Sequence, residues 1–253
     1  MRSVDDAGDG ARRQPTGNGQ YSVSFRLVDV PKQSQLTGLV FVVTSKDLRA
    51  TAHRIADIVY EQLTGEKGVF STRLAYVSKS PGRFQLIVSD SDGANSVAVV
   101  NSTEPIISPA WSPDGGRLAY VSFEGRKPSV YVQNVANGER ALLVRASGNQ
   151  SAPAWSPDGS RIVFASSQAG GTQLFLANAD GSNIRMLSSR KGADFYNTAG
   201  LAWSPDGKRI ACPAGSNSGV RNMFVAEINV ANGQEKPLYP TKWASVGRVS
   251  WVR

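Results

Sequence analysis

Three short apolar runs in the second half of the chain follow the same polar turn, Trp-Ser-Pro-Asp-Gly. The turns occupy residues 111–115, 155–159 and 203–207, and the runs occupy residues 117–121, 161–165 and 208–212. Proline presets φ, aspartate can bond its own backbone and glycine tolerates positive φ, so such a turn joins two antiparallel strands. Successive tryptophans are 44 and 48 residues apart, and Trp251 follows after another 48. A period in the forties with several short strands per unit predicts a β-propeller.

Each repeat carries further strand signals. The pattern predicts a third strand at 129–135 or 173–178, an Asn-Gly or Asp-Gly turn, and a last strand such as 140–144. A degenerate first repeat starts earlier, because residues 73–78 match residues 117–122; its strands are predicted at 73–78, 84–90 and 96–100. Residues 71–253 therefore predict about four blades, and the first lacks its tryptophan-bearing strand. The segment ending at Trp251 either completes that blade and closes a small ring, or opens a fifth blade. The sequence leaves both alternatives open.

A different pattern precedes the repeats. Polar and apolar residues alternate over 21–29 and 37–43, which predicts a hairpin. A helix follows, since Ser45 is placed to cap it, apolar residues recur at helical spacing from Leu48 to Leu63, and Gly65 lies just past its end. Residues 20–70 thus predict part of a small α/β domain, and the polar residues 1–19 predict a flexible lead. The fold class is an all-β propeller, possibly an incomplete ring, preceded by this partial α/β domain.

Charge and composition limit the partners. The net charge is +8 and the isoelectric point is about 9.8, with the basic excess in the repeats. No more than two basic residues are adjacent and none alternate with aromatics, so an ordinary solvated surface is favoured and no nucleic-acid partner is expected. No apolar run approaches 18 residues, so no membrane insertion is expected. Residues 1–19 lack the apolar segment of a secretory signal peptide.

Candidate chemistry is scarce. His53 and Cys212 are the single histidine and the single cysteine, which excludes most conventional catalytic dyads and metal sites. We expect His53, beside the apolar face of the helix, to be structural and Cys212 to be a buried thiol. Residues 89–95 superficially resemble a calcium loop but lack the downstream acidic ligands, so they predict a hairpin turn. There is no Gly-x-Ser-x-Gly motif of a hydrolase. We expect no catalytic residue, metal or cofactor.

Several stretches resemble one known family. Residues 53–57 read His-Arg-Ile-Ala-Asp, residues 63–70 read Leu-Thr-Gly-Glu-Lys-Gly-Val-Phe and run into 72–77, and the stretch 108–115 with 118–121 is equally typical. Over residues 20–188 the chain resembles the TolB family, the periplasmic propeller proteins of the Tol-Pal cell-envelope system. From Lys191 onward it is closer to generic Trp-Ser-Pro-Asp-Gly repeats of the PD40 type. About two blades of the family's six, the export signal and the first part of the N-terminal domain are expected to be missing.

The resemblance implies an adaptor of the periplasm rather than an enzyme. Its propeller face would bind a partner, notably the peptidoglycan-associated lipoprotein Pal, in envelope integrity and cell division. The partner face in the family is built partly from loops before the tryptophan strands, here 101–107, 146–151 and 191–198. The candidate partner-binding residues are Ser147, Gly148, Asn149, Gln150 and Ser151, with Glu104, Tyr196 and Asn197. Asn149 stands where the family would carry a histidine. The alternative function is a cytoplasmic regulatory or sensory propeller that binds a peptide or small ligand.

Overall fold

A computed structural model describes residues 11–188, 194–196, 200–216, 222–238, 246 and 249–251. The chain divides into two compact units. The first consists of Met1–Leu74 with Ser89–Ser96, and the second of Ala75–Val88 with Val97–Arg253. Among the described residues, no helix combines the length and apolar character that a membrane crossing requires.

The first unit is built on a three-stranded antiparallel sheet. Its strands are β1 (Arg12–Gly17), β2 (Gln20–Asp29) and β3 (Ser34–Thr44), in the order β1-β2-β3. The predicted hairpin is therefore present, but residues 12–17 of the expected flexible lead form a strand. A tight turn with positive φ at Gly17, Asn18 and Gly19 folds β1 back onto β2. The guanidinium of Arg13 then lies 3.9 Å from the ring centroid of Tyr21.

One helix, α1 (Leu48–Thr64), packs on this sheet. It ends as predicted at Gly65, whose φ of 76° lets its N–H reach the carbonyl of Glu61 at 2.8 Å. The predicted cap at Ser45 is wrong, because Ser45–Asp47 form a short 3₁₀ helix and the hydroxyl of Thr44 instead donates to Asp47 Oδ2 at 2.6 Å. Local side-chain bonding has moved the start of the α-helix beyond the residue that the pattern marked.

The second unit contains four antiparallel sheets, which we number as blades 1 to 4. Blade 1 has β4 (Arg73–Ser80), β5 (Arg83–Asp90) and β6 (Val97–Ser102); blade 2 has β7 (Ile106–Trp111), β8 (Arg117–Ser122), β9 (Ser129–Asn134) and β10 (Arg140–Leu142). Blade 3 has β11 (Gln150–Trp155), β12 (Arg161–Ser166), β13 (Gln173–Asn178) and β14 (Arg185–Met186). Blade 4 has β15 (Asp194–Tyr196), β16 (Ala202–Trp203), β17 (Arg209–Ser216), β18 (Asn222–Asn229) and β19 (Glu235–Pro237). The four predicted propeller repeats are confirmed.

The repeated turn has the structure that its residues predict. In blade 3, the Ser156 hydroxyl donates to Asp158 Oδ1 at 2.5 Å and accepts the Arg161 N–H at 2.9 Å. The Gly159 N–H closes the turn on the Ser156 carbonyl, with φ of 68° at the glycine. The side-chain bond from Ser156, followed by bonds from Ser160, lowers the pKa of Asp158 to about 2. The turn is thus a closed set of hydrogen bonds around one carboxylate.

The tryptophans join neighbouring blades. Trp155 and Trp203 are 7% and 8% exposed, and their indole N–H groups donate to the Ala110 and Ala154 carbonyls of the preceding blade at 3.1 and 3.0 Å. Each ring also lies beneath an arginine of the preceding blade: Arg117 is 4.6 Å from the Trp155 ring centroid and Arg161 is 5.3 Å from that of Trp203. The attraction between the cation and the indole ring stabilises such a contact by about 0.5 to 2 kcal/mol.

Trp251 repeats this contact on blade 4. Its indole N–H donates to the Ala202 carbonyl at 3.0 Å, and Arg209 lies 5.1 Å from its ring centroid. Residues 249–251 therefore dock on blade 4 as the first strand of a following blade does. Within the described residues, β4 of blade 1 pairs with β5 on one side only, so closure of the ring by this segment stays a prediction.

A second contact between blades involves the turn before the last strand. Gly181 of blade 3 and Gly233 of blade 4 have φ of 84° and 72°. A Cβ at either position would come closer than 3.0 Å to a carbonyl oxygen of the preceding blade, that of Leu143 or Leu187. Only glycine permits both the left-handed backbone and this close approach.

Candidate functional site

The loops before the tryptophan strands share one end of the propeller. Strands β7 and β11 run from these loops toward their tryptophan turns, and β8 and β12 return. We call the end formed by 79–83, 103–105, 123–128, 143–149 and 167–172 the loop end, and the end with the tryptophan turns the turn end. Backbone bonds hold the loops together: the Phe123 N–H donates to the Pro105 carbonyl, and the Gln150 N–H to the Pro128 carbonyl of the preceding blade.

The central loop of the predicted site is held closely by its neighbours. A Cβ at Gly148 would lie 2.6 Å from the Gln168 Cα, so the two loops are in backbone contact. The Asn149 N–H donates to the Ser167 hydroxyl at 2.9 Å, and the Lys127 ammonium donates to the Ser147 carbonyl at 3.1 Å. The side chains of Ser147 and Asn149 are exposed, so a fixed backbone presents them to solvent.

Gln150 is placed differently from the expectation. It begins β11, is 1% exposed and spans two segments of blade 2. Its Oε1 accepts the Val130 N–H at 2.8 Å and its Nε2 donates to the Val144 carbonyl at 3.0 Å. Both polar groups are satisfied inside the protein, so Gln150 anchors the loop and cannot offer its side chain to a partner. Ser151 follows in β11 and is half-buried.

The outlying candidates do not all belong to the same surface. Glu104 is exposed in the loop before β7, where its N–H donates to the Ser102 hydroxyl at 2.9 Å. Tyr196, expected in a loop, lies in β15 opposite Ala214, because the loop before blade 4 enters the sheet earlier than the pattern indicated. Asn197 lies outside the described residues.

The first strands of blades 2 and 3 each contain a β-bulge that the sequence analysis did not predict. The register of the first strand shifts between Ile107 and Ala110 in blade 2 and between Ser151 and Ala154 in blade 3. At the bulges, Ser108 and Ala152 adopt φ of 54° and 49°, which is unusual for residues other than glycine. Both precede the shared sequence Pro-Ala-Trp, the one signal that could have marked them. The bulges bend the strands just below the loop end.

The single histidine lies beside a carboxylate outside the loops. In the first unit, His53 Nε2 lies 3.2 Å from Asp92 Oδ2, and Arg49 forms an ion pair with the same carboxylate. The Ala94 N–H first, and then the charges of Arg49 and His53, lower the pKa of Asp92. Asp92 lies in the turn between β5 and β6, which confirms the predicted hairpin there. Cys212 is buried, as expected.

A cleft in the second unit bears on the small-ligand alternative. It has a volume of about 230 Å³ and is lined by Arg117, Arg140, Leu142 and Asp180 among others. Small-molecule sites in proteins usually have volumes of about 300 to 1,000 Å³. This cleft falls below that range, and it does not adjoin the exposed part of the loop 143–149.

Comparisons with known proteins agree with the repeats and the helix. The PD40 family model, described as TolB beta propeller domain, matches residues 60–238. The chain is 64% identical over 96 residues to the Tol-Pal system protein TolB of Methylobacillus flagellatus, covering 38% of this chain and 22% of that protein. It is 54% identical over 123 residues to the Tol-Pal system protein TolB of Nitrosomonas europaea, covering 46% and 29%. The crystal structure of TolB from Acinetobacter baumannii superposes with a TM-score of 0.77 at 31% identity, covering 90% of this chain and 56% of that one.

Proposed function

Because the chain belongs to the TolB β-propeller family, we propose that it is a noncatalytic protein-binding scaffold of the Tol-Pal system. The observation that carries this proposal is the identity of 64% and 54% to relatives named as Tol-Pal system proteins. Since the match spans 22% and 29% of those relatives, the partner and the cellular place are part of the proposal. We place the protein in the periplasm, in envelope integrity and cell division.

The proposed binding surface is the loop end of the propeller. Ser147, Gly148 and Asn149 lie in the loop before β11 and Glu104 lies in the loop before β7, while the buried Gln150 anchors the first of these loops. Rigid blades hold several loops in fixed positions, so these loops lose little conformational freedom when a partner touches more than one of them. The mechanism is geometric, because the fold supplies the frame and the loops supply the contacts.

The proposed partner is a Pal-like peptidoglycan-associated lipoprotein. Supporting this assignment are the names of the relatives and the arrangement of the exposed loop, whose backbone is bonded at Ser147 and Asn149 while their side chains remain accessible. The partner does not need to enter the propeller core, which is filled by packed apolar side chains between the blades.

Isothermal titration of the purified chain with the soluble domain of a Pal-type lipoprotein tests the proposal. Wild-type protein is expected to bind, and Asn149→Trp at the loop end to weaken binding by at least about tenfold by blocking close approach. Ala136→Trp provides the matched control, because Ala136 is also exposed but lies in a turn at the turn end. Circular dichroism checks that both variants are folded. Absence of binding by folded wild-type protein contradicts the proposed partner, and equal weakening by both variants contradicts the proposed surface.

A further inference from the structure

The charged side chains of the propeller are distributed unevenly between its two ends. The loop end carries five exposed basic residues: Lys79, Arg83, Arg126, Lys127 and Arg145. It carries two acidic residues, Glu104 and Glu124, and Glu124 already accepts a hydrogen bond from Arg140 at 2.8 Å. Within residues 79–83, 103–105, 123–128 and 143–149, Glu104 is therefore the one carboxylate without an ion-pair partner.

The turn end shows no such excess. The aspartates of the three tryptophan turns are each followed three residues later by an arginine, which pairs Asp114 with Arg117, Asp158 with Arg161 and Asp206 with Arg209 in sequence. These arginines cover the tryptophans of the next blade. The charges there are close to balance and are used in the blade contacts, so the basic character of the described propeller surface is concentrated at the loop end.

The basic groups at the loop end are positioned for an external partner. None of the five forms an ion pair within the described residues. The Lys127 ammonium bonds the Ser147 carbonyl at 3.1 Å, and the Arg83 guanidinium bonds the Asn101 side chain at 2.7 Å. Such neutral acceptors fix the positions of these cations and leave their charge uncompensated.

We infer that the loop end recognises an acidic surface of a partner protein. The inference rests on the proposed function for the choice of this end as the binding face, and it adds the charge of the partner. Opposite charges across an interface accelerate association and set orientation, and their effect is screened by salt. A protein is favoured over a single-stranded nucleic acid because base stacking needs exposed aromatic rings, whereas the neighbouring Phe84 and Phe123 pack against the cores of their blades.

Reversing the charge of two basic residues at the loop end, and of two basic residues elsewhere as a control, tests the inference. The test variant is Arg126→Glu with Arg145→Glu at the loop end. The control variant is Lys67→Glu with Lys208→Glu, which makes the same change in net charge at exposed residues outside the loop end. Binding of three probes is measured at about 50 and about 300 mM salt: the soluble domain of a Pal-type lipoprotein, a fluorescent twelve-residue polyglutamate peptide, and a single-stranded DNA of equal charge.

At low salt, we expect the affinity for the polyglutamate peptide to fall by about tenfold or more in the loop-end variant and to change by less than about twofold in the control variant. Wild-type binding is expected to weaken about tenfold between the two salt concentrations. If the Pal-type domain does not bind while the peptide result holds, the proposed partner fails and the acidic recognition stands. Equal effects of the two variants on the peptide, no binding of the peptide to wild-type protein, or tighter binding of DNA than of the peptide would overturn the inference.

Discussion

Alanine at Gly181 tests how the blades are held together. At this position a Cβ would come closer than 3.0 Å to the Leu143 carbonyl oxygen of blade 2 and 3.1 Å from the carbonyl carbon. Gly138 occupies the corresponding turn of blade 2 with φ of 75°, close to the 84° of Gly181, but a Cβ there meets nothing within 4 Å. The two glycines therefore share the backbone conformation and differ in the close approach to another blade.

The magnitude follows from adding two effects. Alanine in the left-handed region costs about 1 to 2 kcal/mol at either position. At Gly181 the methyl group also forces apart a turn and a backbone carbonyl, and overpacking of this kind costs about 1 to 3 kcal/mol more. We expect Gly138→Ala to lower the free energy of unfolding by about 1 to 2 kcal/mol and Gly181→Ala by about 2 to 5 kcal/mol. Gly233→Ala, which meets the Leu187 carbonyl, is expected to resemble Gly181→Ala.

Equilibrium unfolding in urea measures these differences. Tryptophan fluorescence reports on the blade contacts and circular dichroism on the sheets, and coincident transitions justify a two-state treatment. The midpoint should fall while the m value stays unchanged. If Gly181→Ala and Gly138→Ala lose the same free energy within about 0.5 kcal/mol, the turns are not pressed against the preceding blades and the reasoning is refuted.

Three further outcomes are expected. Gln150→Leu should lower the free energy of unfolding by about 2 to 4 kcal/mol, because it leaves two buried backbone groups unpaired, whereas Asn149→Ala should change it by less than about 0.5 kcal/mol in the same urea assay. The folded-state pKa of Asp158 is lowered to about 2. Its ionised form therefore stabilises the folded state above the unfolded-state pKa of about 3.9, and this stabilisation is lost as the pH falls toward 2. In thermal melts from pH 5 to 2, the Tm of Asp158→Asn should fall less than the Tm of wild type. Trp251→Phe should destabilise blade 4 by about 1 kcal/mol, and Trp203→Phe should destabilise blade 3 by a similar amount, because each change removes one indole donor. Hydrogen exchange resolved by blade measures both effects, and unchanged exchange in blade 4 of Trp251→Phe would contradict the prediction.

The sequence predicted the regular parts of the propeller because its turns carry their own conformational signals. The strand predicted at 173–178 is β13 (Gln173–Asn178), and the one predicted at 129–135 is β9 (Ser129–Asn134). Proline, aspartate and glycine fix these turns locally, so the strands on both sides follow from neighbouring residues. Gly65 marked the end of α1 for the same reason.

The errors arose where the outcome depends on contacts distant in sequence. Gln150 is polar and follows a loop, which favoured exposure, but two backbone groups of blade 2 twenty and six residues away bind its amide. Strand β1 has the composition of a flexible segment and is ordered by pairing along β2. Tyr196 entered a sheet through its pairing with β17. None of these partners is encoded in the local pattern of apolar and polar residues.

The arginine and tryptophan contacts have a consequence for how such a chain can change in evolution. The boundary between blades 2 and 3 and the boundary between blades 3 and 4 are built alike: one repeat contributes the arginine and the alanine carbonyl, and the next contributes the indole. A genetic exchange that removes or inserts a whole period therefore brings together two surfaces that already fit, wherever in the repeat the crossover falls. A crossover out of phase would leave an arginine without its indole at the new boundary. The number of blades can thus change by recombination, and no new interface between blades has to evolve.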